Sequence, residues 1–215
     1  MRTGRKTEGQ RYALEHYWPR YGLEFDATTA LDFSRLFPNS HGVKLEIGFG
    51  MGDSLVQMAQ QDSAHGYIGI EVHTPGVGHC LAKLHEAEIT NLRLISHDAI
   101  EVLESMIPPQ SLDAVFLFFP DPWHKQRHHK RRIVNQQFRD LVFRALKPGG
   151  VLHMATDWQD YARHMARECC ADERFANLGD EQGFSPKPDY RPTTKFERRG
   201  ERLGHGVWDL LFARK

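Results

Sequence analysis

Five short runs of apolar and β-branched residues, at 43–47, 67–71, 92–96, 112–119 and 151–155, alternate along the chain with longer segments of helical period. The segment 54–61 places Leu55, Val56 and Ala59 on one face, and 75–88 does the same with Val77, Cys80, Leu81 and Leu84. Thr74 is expected to cap that second helix, with Pro75 in its first turn. The segment 133–146 repeats Val134, Phe138, Leu141, Val142 and Ala145 before Lys147-Pro148-Gly149-Gly150 stops it, and 161–170 carries a fainter helical pattern. Strands alternating with helices predict an α/β fold, its mostly parallel sheet covered on both faces. The end of the chain breaks the alternation. Runs at 193–199 and 207–212, joined through glycines, predict a terminal antiparallel hairpin, which gives seven strands. Residues 1–40 are aromatic, basic and weakly patterned, so they are expected as an N-terminal arm on a domain spanning 41–215.

Composition at first argues against a nucleic-acid partner. Lys plus Arg and Asp plus Glu both number 28, for a formal net charge of zero. The charges are nevertheless segregated. Residues 1–20 hold five basic and two acidic side chains, 121–144 seven and two, and 191–202 five and two. Those windows total +11, balanced by −11 in the other 159 residues. Such segregation suits an anionic partner gripped by local patches. No run of 18 apolar residues exists, and the first dozen residues lack an apolar signal core, which predicts a cytoplasmic protein without a membrane span. Cys80, Cys169 and Cys170 have neither disulfide-framework nor zinc spacing, and are expected as unreactive thiols.

The first strand runs into Glu46-Ile47-Gly48-Phe49-Gly50-Met51-Gly52. Glycines at alternate positions after a strand permit a sharp turn and a close backbone approach to a ligand. A dinucleotide fingerprint needs glycine at 53, where this chain has aspartate. The spacing instead resembles the E-x-G-x-G-x-G motif of S-adenosylmethionine-dependent methyltransferases. Glu71 and Asp98 then follow the next two strands, and the carboxyl ends of strands in a doubly wound sheet line one crevice. Glu71 suits ribose hydroxyls, Asp98 an adenine amino group and Glu46 an ammonium. The competing reading is that these acids only cap helices.

The fourth strand ends in Phe118-Phe119-Pro120-Asp121-Pro122-Trp123-His124-Lys125. Two flanking prolines restrict Asp121 and position its carboxylate, while Trp123 offers either a flat face for a base or a buried wedge. The basic run Arg127, His128, His129, Lys130, Arg131 and Arg132 comes next, directly before or at the start of the predicted helix. Cations at a helix N-terminus cost roughly 0.3–1 kcal/mol per site, so their presence suggests an external anion such as a phosphate backbone. A solvated charged loop is the alternative. No metal site is expected from the three histidines, which lack a carboxylate set.

LEIGFGMG (45–52), GIEVH (69–73), HDA (97–99), FFPDPWHK (118–125), RHHKRR (127–132), MATDW (154–158) and RPTTKFERRGERLGHGVWDL (191–210) together resemble the bacterial tRNA (guanine-N7)-methyltransferase family. GQRYALEHYWPRYG (9–22) extends the likeness over nearly the whole chain. The resemblance implies a Rossmann-like class I methyltransferase fold. It implies Glu46, Gly48, Gly50, Glu71, Asp98, Ala99 and Asp121 around S-adenosylmethionine, with Asp121 also catalytic. Lys125, Asp157, Thr194, Lys195, Phe196 and Glu197 would contact the substrate, and Arg127 to Arg132 the RNA. The implied partner is tRNA, the implied target guanine 46 of its variable loop, and the expected state a monomer or weak homodimer without metal. Two rivals remain at this point, a methyltransferase for protein or small molecules and a non-catalytic RNA-binding subunit.

Overall fold

Apolar residues that alternate with polar ones at 43–47 form β2 (Val43–Ile47), whose inward side chains Val43, Leu45 and Ile47 are buried. The computed structural model describes residues 6–194, 197 and 206–215. The chain divides into two compact units, Met1–Pro108 and Pro109–Lys215.

In the first unit β2 pairs in parallel with β3 (Gly66–Ile70), and β3 with β4 (Leu92–Ile95). All five β3 residues are buried, as a central strand covered on both faces requires. Helix α4 (Asp53–Gln61) comes close because of Gly69, where a Cβ would collide with Leu55. Helix α5 (Thr74–Glu86) buries Val77, Cys80, Leu81 and Leu84 completely, each worth about 1.5–3 kcal/mol relative to exposure. Its flanking residue is His73 rather than the expected Thr74, which is already helical. Helix α6 (Ala99–Ser105) follows β4 and carries Asp98 as its N-cap.

The stretch expected as an arm belongs to this unit. Helix α1 (Glu8–His16) opens with a capping box between Thr7 and Gln10. It lies on α5 so closely that a Cβ at Gly78 would meet the Gln10 backbone at 2.8 Å. Helix α2 (Trp18–Tyr21) leads into β1 (Gly22–Leu23), which adds a parallel edge beside β4; α3 (Phe33–Leu36) follows. The buried anchors Ala13 and Tyr21 are too widely spaced to show as a run, so hydrophobic pattern missed these elements.

In the second unit β5 (Leu112–Phe118) pairs in parallel with β6 (Leu146–Thr156). Between them lie a 3-10 helix (Gln126–Arg131) and α7 (Gln136–Ala145). Helix α8 (Gln159–Cys170) leads to the short β7 (Phe175–Asn177). The last strand, β8 (Trp208–Arg214), runs antiparallel to both β6 and β7. The antiparallel end is therefore present, but the described partners of β8 are β6 and β7. Of the expected partner 193–199, Thr193 and Thr194 are not strand, Glu197 is helical, and 195, 196, 198 and 199 lie outside the described residues. Thr194-x-x-Glu197 explains the difference. The Glu197 N–H donates to Thr194 Oγ1 (3.1 Å) and the Thr194 N–H to Glu197 Oε2 (3.2 Å), the reciprocal pair of a helix capping box.

Among the described residues no helix is long and apolar enough to cross a membrane. Burial pushes the Cys169 thiol up to about 12, and Cys80, fully buried in α5, is shifted in the same direction for the same reason.

Candidate functional site

The turn after β2 is built by backbone that only glycine adopts without strain. Gly48, Gly50 and Gly52 have φ of +71°, +59° and +79°. A Cβ at Gly48 or Gly50 would meet nothing within 4 Å, so the space beside this turn is open, whereas one at Gly52 would collide with Cys80 Sγ. Glu71 holds the turn in place. Its Oε2 accepts from the Gly50 N–H (2.8 Å) and its Oε1 from the His73 N–H (2.7 Å). Each oxygen keeps a second lone pair for a ligand hydroxyl.

Glu46 is the most unusual group of the first unit. Only 2% of it is exposed, its Oε1 accepts a long bond from Ser54 Oγ (3.5 Å), and its Oε2 has no hydrogen-bond partner. Burial pushes its carboxyl up to about 8 against the Ser54 bond, which pulls it down, and the Glu71 charge adds to the rise. A buried carboxylate with an orphan oxygen beside an open glycine turn suits a cationic donor. Asp98 caps α6, its Oδ1 accepting from the Ile100 and Glu101 N–H groups (2.9 and 3.4 Å). That bond fixes where the carboxylate points and occupies one oxygen. Ala99 is the first residue of α6.

In the second unit the register Phe118↔Ala155 sets the ends of β5 and β6 side by side, so Asp121 and Asp157 follow adjacent strand ends. Asp121 is exposed and Asp157 half-buried. The segment around Asp121 is bounded by two non-glycine residues in left-handed backbone, Phe119 (φ +52°) and Trp123 (φ +48°). Each such residue costs on the order of 1–2 kcal/mol, and strain of this kind collects at functional loops. The Phe119 N–H donates to Ala155 O (2.7 Å), tying the loop to β6.

The basic run divides. Lys125, Arg127, Lys130 and Arg131 are exposed, His128 and His129 half-buried. Arg131 lies over the Trp123 ring at 4.9 Å, and His128 meets that ring edge-on, so Trp123 is largely covered by its own loop. Arg132 does not belong to the exposed strip. At 3% exposure it donates through Nε to Pro122 O (2.9 Å) and through Nη2 to Asp160 (2.5 Å), over the Tyr161 ring. It braces the Asp121 loop against α8. The expected cations at a helix start are also misplaced. They fall in the 3-10 helix, mostly in its last turn where positive charge is favourable, and Asn135 caps α7 by accepting from Phe138. Positive charge in that last turn is intrinsically favourable, and it is the exposure of Arg127, Lys130 and Arg131 that suits an external anion.

Glu197, expected at the substrate, is buried and paired within the protein. It is 2% exposed and gripped by Arg191, Nη1 to Oε2 at 2.8 Å and Nη2 to Oε1 at 3.0 Å, with Lys187 Nζ at 3.1 Å. Arg191 also donates to Asp209, whose Oδ1 meets His153 Nε2 at 2.7 Å, and Tyr190 hydroxyl meets His153 Nδ1 at 2.9 Å. Sequence reading missed this buried chain; the histidine inside the apolar run at 151–155 was its one visible sign. Thr194 caps the turn at Glu197, and Lys195 and Phe196 lie outside the described residues. Among the described residues no group of three or more His, Cys, Asp or Glu is arranged to hold a metal.

Residues 40–210 match a family described as "Putative methyltransferase". A tRNA (guanine-N(7)-)-methyltransferase from Yersinia enterocolitica is 58% identical over all of this chain and 89% of its own length. One of the same name from Cronobacter sakazakii is 57% identical over 99% of this chain and 89% of its own. In structure, an rRNA methylase from Streptococcus thermophilus is similar with a TM-score of 0.55 at 11% identity, over 85% of this chain and 91% of that one. The last likeness shows the class I methyltransferase fold; the first three show that the chain belongs to the tRNA (guanine-N7)-methyltransferase family.

Proposed function

We propose that this chain methylates N7 of guanine 46 in the tRNA variable loop, in the cytoplasm, with S-adenosylmethionine as donor. The observation that carries the donor is Glu46, a buried carboxyl group with an orphan oxygen beside a glycine turn whose space at Gly48 and Gly50 is open. These residues fit the group: Glu46 would hold its ammonium, Glu71 its ribose hydroxyls and Asp98 its adenine amino group, and Gly48 and Gly50 would leave it room. When bound, S-adenosylmethionine supplies an activated methyl on a sulfonium.

The chain's own work is then alignment and charge. Guanine N7 has an in-plane lone pair and no proton, so no strong base has to act before attack, and positioning dominates. Methylation makes the purine cationic, and the carboxylates of Asp121 and Asp157 stabilise that charge as it develops. The strained backbone at Phe119 and Trp123 fixes Asp121 in advance. N7 lies on the outer edge of a paired base, so a locally opened loop nucleotide suffices as substrate. Exposed Lys125, Arg127, Lys130 and Arg131 engage RNA phosphate. Transcripts that carry adenine in place of guanine 46 test the position: methyl incorporation should vanish, and retained incorporation would refute it.

A further inference from the structure

Trp158 has no part in the functional reading above, yet it is placed to act. It follows Asp157 at the end of β6, flanks the start of α8, and is 37% exposed. Its N–H donates to Thr156 Oγ1 (3.2 Å), which anchors the backbone while leaving the indole outside. His124, from the loop of Asp121, meets the indole at 4.1 Å between centroids and 72° between planes, a T-shaped contact that ties the ring to that loop. Two neighbouring aromatic groups among the described residues are engaged elsewhere. Trp123 lies under Arg131, and the exposed Tyr190 commits its hydroxyl to His153. Among the described residues no Lys or Arg lies over the Trp158 ring.

We propose that Trp158 is the stacking face for the target guanine and favours its methylated form. This deepens, and rests on, the proposed N7 methylation. In that step the N7 lone pair forms the new N–C bond, the C–S bond breaks with its electrons left on sulfur, and the positive charge passes from sulfonium to purine. An electron-rich indole attracts a cationic ring more strongly than a neutral one, so the same stacking contact strengthens as charge develops. Asp157, adjacent in sequence, adds a carboxylate to the same cation. An exposed tryptophan next to a carboxylate, held by a T-shaped contact with a histidine, is the composition that recognises a cationic purine rather than a phosphate.

The test compares dissociation constants of the whole protein for unmodified tRNA and for the same tRNA carrying 7-methylguanosine at the target, both with S-adenosylhomocysteine present. Replacing Trp158 by Leu should weaken binding of the methylated tRNA by about tenfold and lower its preference over unmodified tRNA by about fivefold. Trp158→Phe, which keeps a weaker aromatic face, should retain an intermediate preference, and it serves alone if the Leu variant fails to fold. Equal weakening of both tRNAs, as expected for a structural tryptophan or one stacked on a neighbouring base, would overturn the proposal. If the wild-type protein forms no 7-methylguanosine, N7 methylation itself fails; if it forms the product and the preference does not depend on Trp158, only this inference fails.

Discussion

Arg191 holds Glu197 through two parallel hydrogen bonds, 2.8 and 3.0 Å long, with both side chains buried. The same guanidinium also holds Asp209, so one cation satisfies two buried carboxylates and fixes the turn that Thr194 caps. Burial opposes the shift, but the bonds from Arg191 and Lys187 hold the Glu197 carboxyl, and those from His153 and Arg191 the Asp209 carboxyl, below their ordinary range.

Arg191→Ala therefore strands two buried charges. The expected loss is about 3–5 kcal/mol of stability, read from urea or thermal unfolding. Glu197→Gln keeps most of the hydrogen bonds and should lose less. Equal stability of Arg191→Ala and wild type would show that the network contributes nothing to folding.

Glu46 gives a pH signature. Its folded carboxyl titrates near 8 instead of the ordinary 4.5, so between those values the folded chain binds more protons than the unfolded chain. The contribution of Glu46 to stability must then fall as pH rises from about 4.5 to 8. Glu46→Gln removes this penalty and should stabilise the free protein at pH 8 by about 1–4 kcal/mol, with no gain below pH 4.5. The same variant should bind S-adenosylmethionine more weakly. Calorimetry at pH 7 in buffers of different ionisation enthalpy should show proton release on binding in wild type, and less in the variant.

The basic run separates into two kinds of arginine. Arg127→Ala and Arg131→Ala should each reduce the salt dependence of tRNA binding by about one unit of slope, with stability nearly unchanged. Arg132→Ala should instead lower stability by about 1–3 kcal/mol, because it loses its bond to Pro122 O and its packing on Tyr161. Identical behaviour of all three variants would mean that burial does not divide the strip.

Asp121→Asn should cut methyl transfer by about a hundredfold or more while tRNA binding changes little, since the lost charge acts on the reacting purine. Single-turnover rates and filter binding measure the two separately. Undiminished transfer would remove Asp121 from the chemistry.

The strands were legible because their signal is local. The bounds at 43–47 agree in full with β2, and the Glu46-to-Gly52 turn follows it as the glycine spacing requires. Elements held by a few distant contacts were not legible. Tyr21 is buried in a stretch without periodicity, and Phe175–Asn177 is too short to stand out. At the candidate site, residue type was readable but partner was not. Neither the Asp160 partner of Arg132 nor the Arg191 partner of Glu197 is visible in the sequence, because only the fold brings them together.

The most direct measurement is the nucleoside formed when the purified protein is incubated with methyl-labelled S-adenosylmethionine and tRNA. Digestion and chromatography should place the label in 7-methylguanosine. Label in any other nucleoside, or none in tRNA, would contradict the account.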